Sequence, residues 1–183
     1  MSTLKKWLRC KRCGLYKTRK RVVLGKGSLP CDVLMIGEGP GKAENIRGEP
    51  FCGPSGRLLR LGIQGALSLV DIPDSEAPRI FTTNCVACRP CDEKFGPNRE
   101  PTGEEMWACF QRLEEEAKFA QPKQVIFLGK VVERNCKKLF PEGIRLAHPS
   151  FILKNGGQNC ALYLSFIRNL SEVFRKCMQS KMV

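Results

Sequence analysis

The sequence predicts an α/β protein with a mostly parallel sheet and helices on both of its faces. Two observations lead there. Short apolar runs of strand length alternate along the chain with longer stretches whose apolar residues recur at helical spacing. The polar and glycine-rich motifs fall where the short runs end, which is where open α/β sheets bind ligands.

"DVLMIG" (32–37) reads as the first strand. Directly after it, residues 37–59, "GEGPGKAENIRGEPFCGPSGRLL", hold six glycines and three prolines, an extreme density of turn chemistry. "SGRLLRLGIQGALSLV" (55–70) follows as a helix with Leu and Ile at helical spacing. "RIFTTNCV" (79–86) reads as the second strand, running into "CRPC". "TGEEMWACFQRLEEEAKFA" (102–120) opens with Thr102 and Glu105 in capping-box spacing and continues as a helix. "KQVIFLG" (123–129) is the third strand, leading into the helix "KVVERNCKKLF" (130–140). "GIRLAHPS" contains a fourth strand reaching His148, and an amphipathic helix closes the chain over about 158–178. Neither an internal repeat nor a low-complexity segment interrupts this order.

At 183 residues and 42% hydrophobic content the chain suits one well-cored domain spanning 1–183. No apolar stretch approaches the ~20 residues of a membrane helix. The N-terminal "MSTLKKWLRCKRCG" lacks a signal-peptide core. The expectation is therefore an intracellular, cytoplasmic protein (nucleoid-associated in a prokaryote) with no membrane partner. Lys and Arg outnumber Asp and Glu 31 to 18, and much of the excess lies in "KKWLRCKRCGLYKTRKR". A net charge of +13 suits a polyanion partner, whose phosphates would release counterions, or else a solvated basic face. Eleven cysteines in an intracellular chain point to metal or cluster ligation before disulfides.

The glycine-rich loop matches neither familiar phosphate-binding pattern. A Walker loop would need glycine five residues before Gly41, where Ile36 stands, and Ser or Thr after Lys42, where Ala43 stands. A dinucleotide fingerprint starting at Gly37 would need glycine in place of Lys42. What remains is a carboxylate, Glu38, in a Gly/Pro loop of restricted shape, followed by a second acid, Glu44, and the aromatic Phe51 between Pro50 and Gly53. With Asn84 in the second strand and His148 after the fourth, polar groups converge on one end of the sheet.

"GEGPGKAENIRGEPFCGPSGRLL", "TNCVACRP" and "HPSFIL", in that order, resemble the iron–sulfur uracil-DNA glycosylases, family four of the uracil-DNA glycosylase superfamily. "CKRCGLYKTR" and "VLGKGSLPCDVLMIGEGPG" fit as well, so the resemblance runs from Leu8 to the last helix. It implies a three-layer α/β/α sandwich on a central four-stranded parallel sheet, a pocket for a flipped uracil at the strand ends, and a [4Fe-4S] cluster. It implies catalytic roles for Glu38, facing the glycosidic bond and its attacking water, and for His148, facing the carbonyl that gains charge. Base binding would fall to Gly37, to Phe51 as the stacking aromatic, to Asn84 as the reader of the base edge, and to Glu44 as the acid crowding C5 against thymine. Ile152 and Leu153 would be wedges filling the vacated base stack.

These roles make chemical sense. An Asn side chain presents an acceptor beside a donor, matching N3–H and O4 of uracil and mismatching cytosine. An aligned imidazole stabilises the base anion as the bond breaks. Flipping a nucleotide costs a few kcal/mol of unstacking and unpairing.

The resemblance assigns the cluster to Cys10, Cys13, Cys88 and Cys109. By count four thiolates suit a cluster or a zinc ion equally. The run "NCVACRPC" also offers Cys85 and Cys91, although strand alternation turns Cys85 away from the face that Asn84 uses. With Cys88 taken as the ligand of that run, Cys31, Cys52, Cys85, Cys91, Cys136, Cys160 and Cys177 are left as small hydrophobes or surface thiols. The expected function is a monofunctional, monomeric glycosylase removing uracil from single- or double-stranded DNA. The alternatives are an enzyme acting on another modified base, a non-catalytic DNA-binding protein with an iron–sulfur or zinc staple, and a ferredoxin-like carrier. The last two would not need Glu38, Asn84 and His148 together.

Overall fold

The computed structural model describes residues 3–179. Strands β1 (Lys26–Gly27), β2 (Val33–Gly37), β3 (Ile80–Asn84), β4 (Gln124–Leu128) and β5 (Ile144–Leu146) form one sheet in the order β1-β3-β2-β4-β5. All neighbours pair in parallel except β1, which lies antiparallel on the edge of β3. The helices are α1 (Lys42–Arg47), α2 (Pro54–Leu69), α3 (Gly103–Ala120), α4 (Lys130–Cys136), α5 (Pro149–Lys154) and α6 (Ala161–Gln179). Among the described residues, no helix is long and apolar enough to cross a membrane.

All five residues of β2 are buried because helices cover both faces of the sheet. Leu34 and Ile36 join Leu15, Leu113 and Val132 in the core under the N-terminal segment, α3 and α4. Val33 and Met35 join Leu59, Ile152 and Phe174 in the core under α2, α5 and α6. Each such side chain contributes about 1.5–3 kcal/mol through burial, so the alternation along one strand holds the sheet and both helical layers together.

The predicted capping box is formed. Thr102 Oγ1 accepts from the Glu105 backbone N–H, and Glu105 accepts in return from the Thr102 N–H. Helix α4 stops at Cys136, short of the predicted residue 140. There Leu139 and Phe140 both donate to the Cys136 carbonyl as the chain turns ahead of Pro141, which disfavours helix in the residue before it. Strand β5 ends at Leu146, and His148 begins α5 as its N-cap instead of ending the strand.

The basic N-terminal run lies along α3. Trp7 is buried, with its indole N–H donating to Glu115 at 2.8 Å; Lys6 pairs with the same carboxylate at 2.8 Å. Arg12 donates to Gln111 and lies over the Trp7 ring. Part of the positive charge concentrated near the N-terminus is thus spent on anchoring this segment to the fold.

Candidate active site

The carboxyl ends of β2, β3, β4 and β5 open on one cavity of about 1190 Å³. Glu38, Glu44, Phe51, Asn84 and His148 all line it, together with Gly129, Asn98 and Glu100. Parallel pairing causes this convergence. Gly37 and Asn84 are register partners at the ends of β2 and β3, so Glu38 emerges beside Asn84.

Gly37 does not line the cavity, but it permits the arrangement. A Cβ there would stand 2.5 Å from Asn84 Oδ1 and 2.7 Å from the Phe51 ring. The missing side chain lets the amide and the aromatic approach the same point. Phe51 takes a left-handed backbone, φ 52°, rare for an aromatic, and its carbonyl accepts from Arg60 at 3.0 Å. Glu44 is buried, and its Oε1 accepts from the Gly53 backbone N–H at 2.7 Å, closing the loop that carries Phe51.

Glu38 is half-buried, and that burial raises its pKa above the ordinary carboxylate range; nearby Glu100 adds to the rise and Arg134 opposes it. His148 Nδ1 accepts from the Ser150 backbone N–H at 3.1 Å and lies 2.7 Å from Ser150 Oγ. An accepting Nδ1 leaves the ring proton of a neutral imidazole on Nε2. Burial lowers the His148 pKa to about 4, so the ring is neutral at ordinary pH.

Three participants escaped the sequence reading. Gly129, between β4 and α4, has φ 104° and would bring a Cβ to 3.3 Å from that of His148, so it seats the histidine. Asn98 and Glu100 reach the cavity from the loop between β3 and α3. The buried Arg89 shapes that loop by donating to Asn98 Oδ1 at 2.6 Å and to the carbonyls of Lys94 and Gly96. Only Gly129 had a visible signal, a glycine directly between a strand and a helix.

The expected wedge requires a correction. Ile152 is fully buried, packed in the core with α2 and α6, and has no free face to offer a base stack. Its neighbours Phe151 and Leu153 are 53% and 40% exposed, and Phe151 lines the cavity. In a one-turn apolar run, helical phase decides which residue faces out, and three residues are too few to reveal that phase.

Cys10, Cys13, Cys88 and Cys109 line a second, smaller cavity with Leu15 and Val22. The Ala87 N–H donates to Cys109 Sγ at 3.3 Å, and Arg19 donates to Cys88 Sγ at 3.5 Å. Arg12 and Arg112 also line this cavity. Burial pushes the Cys88 thiol up to about 12 despite Arg19. Among the described residues, no group of three or more His, Cys, Asp or Glu side chains is set to hold a metal ion; the four cysteines share the lining of one small cavity. Cys85 Sγ turns to Cys136 Sγ at 3.3 Å and Cys91 Sγ to the Arg89 carbonyl, so neither joins the four.

Residues 24–171 match the family model of the uracil DNA glycosylase superfamily. That span contains every residue named above as lining the larger cavity, along with Cys88 and Cys109, and begins after Cys10 and Cys13. The chain is 36% identical over 122 residues to a type-4 uracil-DNA glycosylase of Saccharolobus solfataricus, covering 67% of this chain and 51% of that protein. It is 36% identical over 130 residues to one of Pyrobaculum aerophilum, covering 71% and 60%. Against one of Thermotoga maritima it is 33% identical over 121 residues, covering 66% and 57%. The chain thus spans about half to three-fifths of the length of these relatives. Sheet order, a pocket at the strand ends and a match over most of the chain agree: this protein belongs to the uracil DNA glycosylase superfamily.

Proposed function

We propose that this chain, acting as a single-domain, intracellular monomer on DNA, hydrolyses the N-glycosidic bond of uracil and leaves an abasic site. The observation that carries the reading is the convergence of Glu38, Phe51, Asn84 and His148 on one cavity. Uracil stacks on Phe51, and the Asn84 amide pairs with N3–H and O4. Glu44 stands against C5 and excludes the thymine methyl. As the C1′–N1 bond breaks, its electron pair moves onto the base, and His148 Nε2–H donates to the carbonyl oxygen where charge collects. Water adds to C1′, and Glu38 accepts its proton. The raised Glu38 pKa makes the carboxylate a better base than a solvated one. Leu153 and Phe151 fill the vacated stack, while Lys42, Lys130 and Lys154 at the mouth face the phosphates.

The four cysteines suit a [4Fe-4S] cluster. All four line one cavity, N–H groups donate to two of the sulfurs, and the arginines there would offset the negative charge of a thiolate-bound cluster. Cys10, Cys13, Cys88 and Cys109 would hold it, and when bound it would supply a covalent staple between the N-terminal segment, the loop after Asn84 and α3.

The test is an end-labelled oligonucleotide carrying a single uracil, treated with alkali after incubation, beside thymine and cytosine controls. Alkali-dependent cleavage at uracil alone is expected. Absence of cleavage with DNA binding retained would sink the glycosylase reading, and cleavage without alkali would sink the monofunctional one. Anaerobically purified protein is expected to carry four iron and four acid-labile sulfide per chain. Stoichiometric zinc without sulfide would replace the cluster by a zinc staple.

A further inference from the structure

Arg112 is an interior cation that no step above uses. It is 1% exposed, and its ion-pair partner Glu116, one turn along α3, is 0% exposed. Arg112 Nη1 donates to Glu116 Oε2 at 2.7 Å and to Thr83 Oγ1 at 2.9 Å. Nη2 donates to the backbone carbonyls of Asn84 and Cys85, both at 2.6 Å. The remaining N–H, on Nε, is buried with no partner among the described residues. A fully buried ion pair with an unsatisfied donor is a poor way to gain stability, because desolvation offsets most of the attraction. Its geometry serves something else.

Strand β3 ends at Asn84, so the next carbonyls lack the sheet partners that the strand interior has. The amides continue the ladder on one side: Cys85 N–H donates to the Gly37 carbonyl at 2.8 Å and Val86 N–H to that of Glu38 at 3.2 Å. On the other side Arg112 Nη2 takes the two carbonyls, while Nη1 is held by Glu116 and Thr83. The residue whose side chain faces the base is thus clamped between the Glu38 loop and α3. The same Nη2 lies 3.8 Å from Cys109 Sγ, and Ala87, three residues past Asn84, donates its N–H to that sulfur. Glu116 in turn holds the Gly25 N–H at 2.9 Å, fixing the segment before β1.

We infer that Arg112, held by Glu116, is a positioning residue that sets the Asn84 amide for base recognition and ties its placement to the cysteine-lined cavity. This inference rests on the uracil-glycosylase reading. Lysine at this position keeps the charge but offers one nitrogen with three donors, which cannot serve Glu116, Thr83 and both carbonyls together as Nη1 and Nη2 do.

The experiment is a double-mutant cycle on the full chain, using single-turnover uracil release with Arg112→Lys, Asn84→Ala and the pair. Arg112→Lys is expected to slow release about 10-fold in the wild-type background and less than about 2-fold in the Asn84→Ala background, because its effect passes through Asn84. Iron and sulfide per chain are expected to equal wild type. An equal loss in both backgrounds would overturn the inference, as would loss of iron in proportion to activity. Glu116→Gln, which leaves the fork in place but removes the charge that holds it, is expected to show the same dependence on Asn84. It decides the matter if Arg112→Lys does not fold, and additivity there overturns the inference. A wild-type chain inactive on uracil would overturn the functional reading and this inference with it. An active wild type with additive variants would overturn this inference alone.

Discussion

Replacing Asn84 by alanine is expected to slow uracil release about 100-fold or more while leaving thermal stability close to wild type. The side chain sits at the cavity end of β3, whereas the backbone of residue 84 is held by Gly37 in register and by Arg112. Truncation therefore removes the reader and spares its mounting. Each hydrogen bond lost from a buried base edge costs about 1–3 kcal/mol, so two cost about 4 kcal/mol at mid-range, which at about 1.4 kcal/mol per tenfold exceeds 10². Discrimination should fall with rate. In the wild type, cytosine would turn its amino group toward the Asn84 donor and its N3 toward the acceptor, so both meetings repel. With alanine the repulsion vanishes too, and the ratio of uracil to cytosine release is expected to shrink more than the uracil rate alone suggests. Single-turnover rates on matched uracil and cytosine oligonucleotides, normalised to folded protein by thermal melts, read both effects. A variant that releases uracil at the wild-type rate would remove Asn84 from recognition.

The sheet was legible because its central strands are buried on both faces. "VLMI" and "VIF" have no polar residue to blur them, and each is followed by a glycine at the strand end. The cavity was legible for the same reason: parallel strands put their carboxyl ends side by side, so polar groups following each run had to meet. What stayed hidden falls into two kinds. Some elements are too short to carry a period. β1 is two residues long, and α1 sits inside the glycine–proline loop as six residues ended by a left-handed Gly48. The Ile152 assignment failed for this reason too. The other kind is buried charge. "RLEEE" reads as an exposed face with an Arg–Glu pair at i,i+4, and its burial follows only from the meeting of α3 with the end of β3. Charged residues are assigned to solvent by default, so a clamp built from them leaves no mark in the hydrophobic pattern.

His148→Ala is expected to lower the rate of uracil release about 10²–10³-fold, the usual cost of removing a donor aimed at developing charge, without moving the acid limb of the pH profile. The imidazole accepts the Ser150 N–H through Nδ1, so its proton lies on Nε2, and burial keeps its pKa near 4. It is thus already in its donating neutral form across the working range. Glu38 must be ionised to take a proton from water, and its pKa is raised by burial. Activity should therefore fall as pH drops through the Glu38 value, above the ordinary carboxylate range, while His148 is still neutral. The limb should persist in His148→Ala and vanish in Glu38→Gln. Stability behaves differently. The folded-state histidine pKa lies below the unfolded value near 6.5, so its contribution is fully present above about 6.5 and is lost as pH falls towards 4. Alanine also removes the N-cap of α5, at a cost of about 0.5–2 kcal/mol. His148→Asn supplies a capping oxygen and separates the two roles: its melting temperature should approach wild type while its rate stays low. If instead the acid limb disappears with the histidine, then imidazole protonation governs the profile, and Glu38 is not the group whose ionisation limits the reaction.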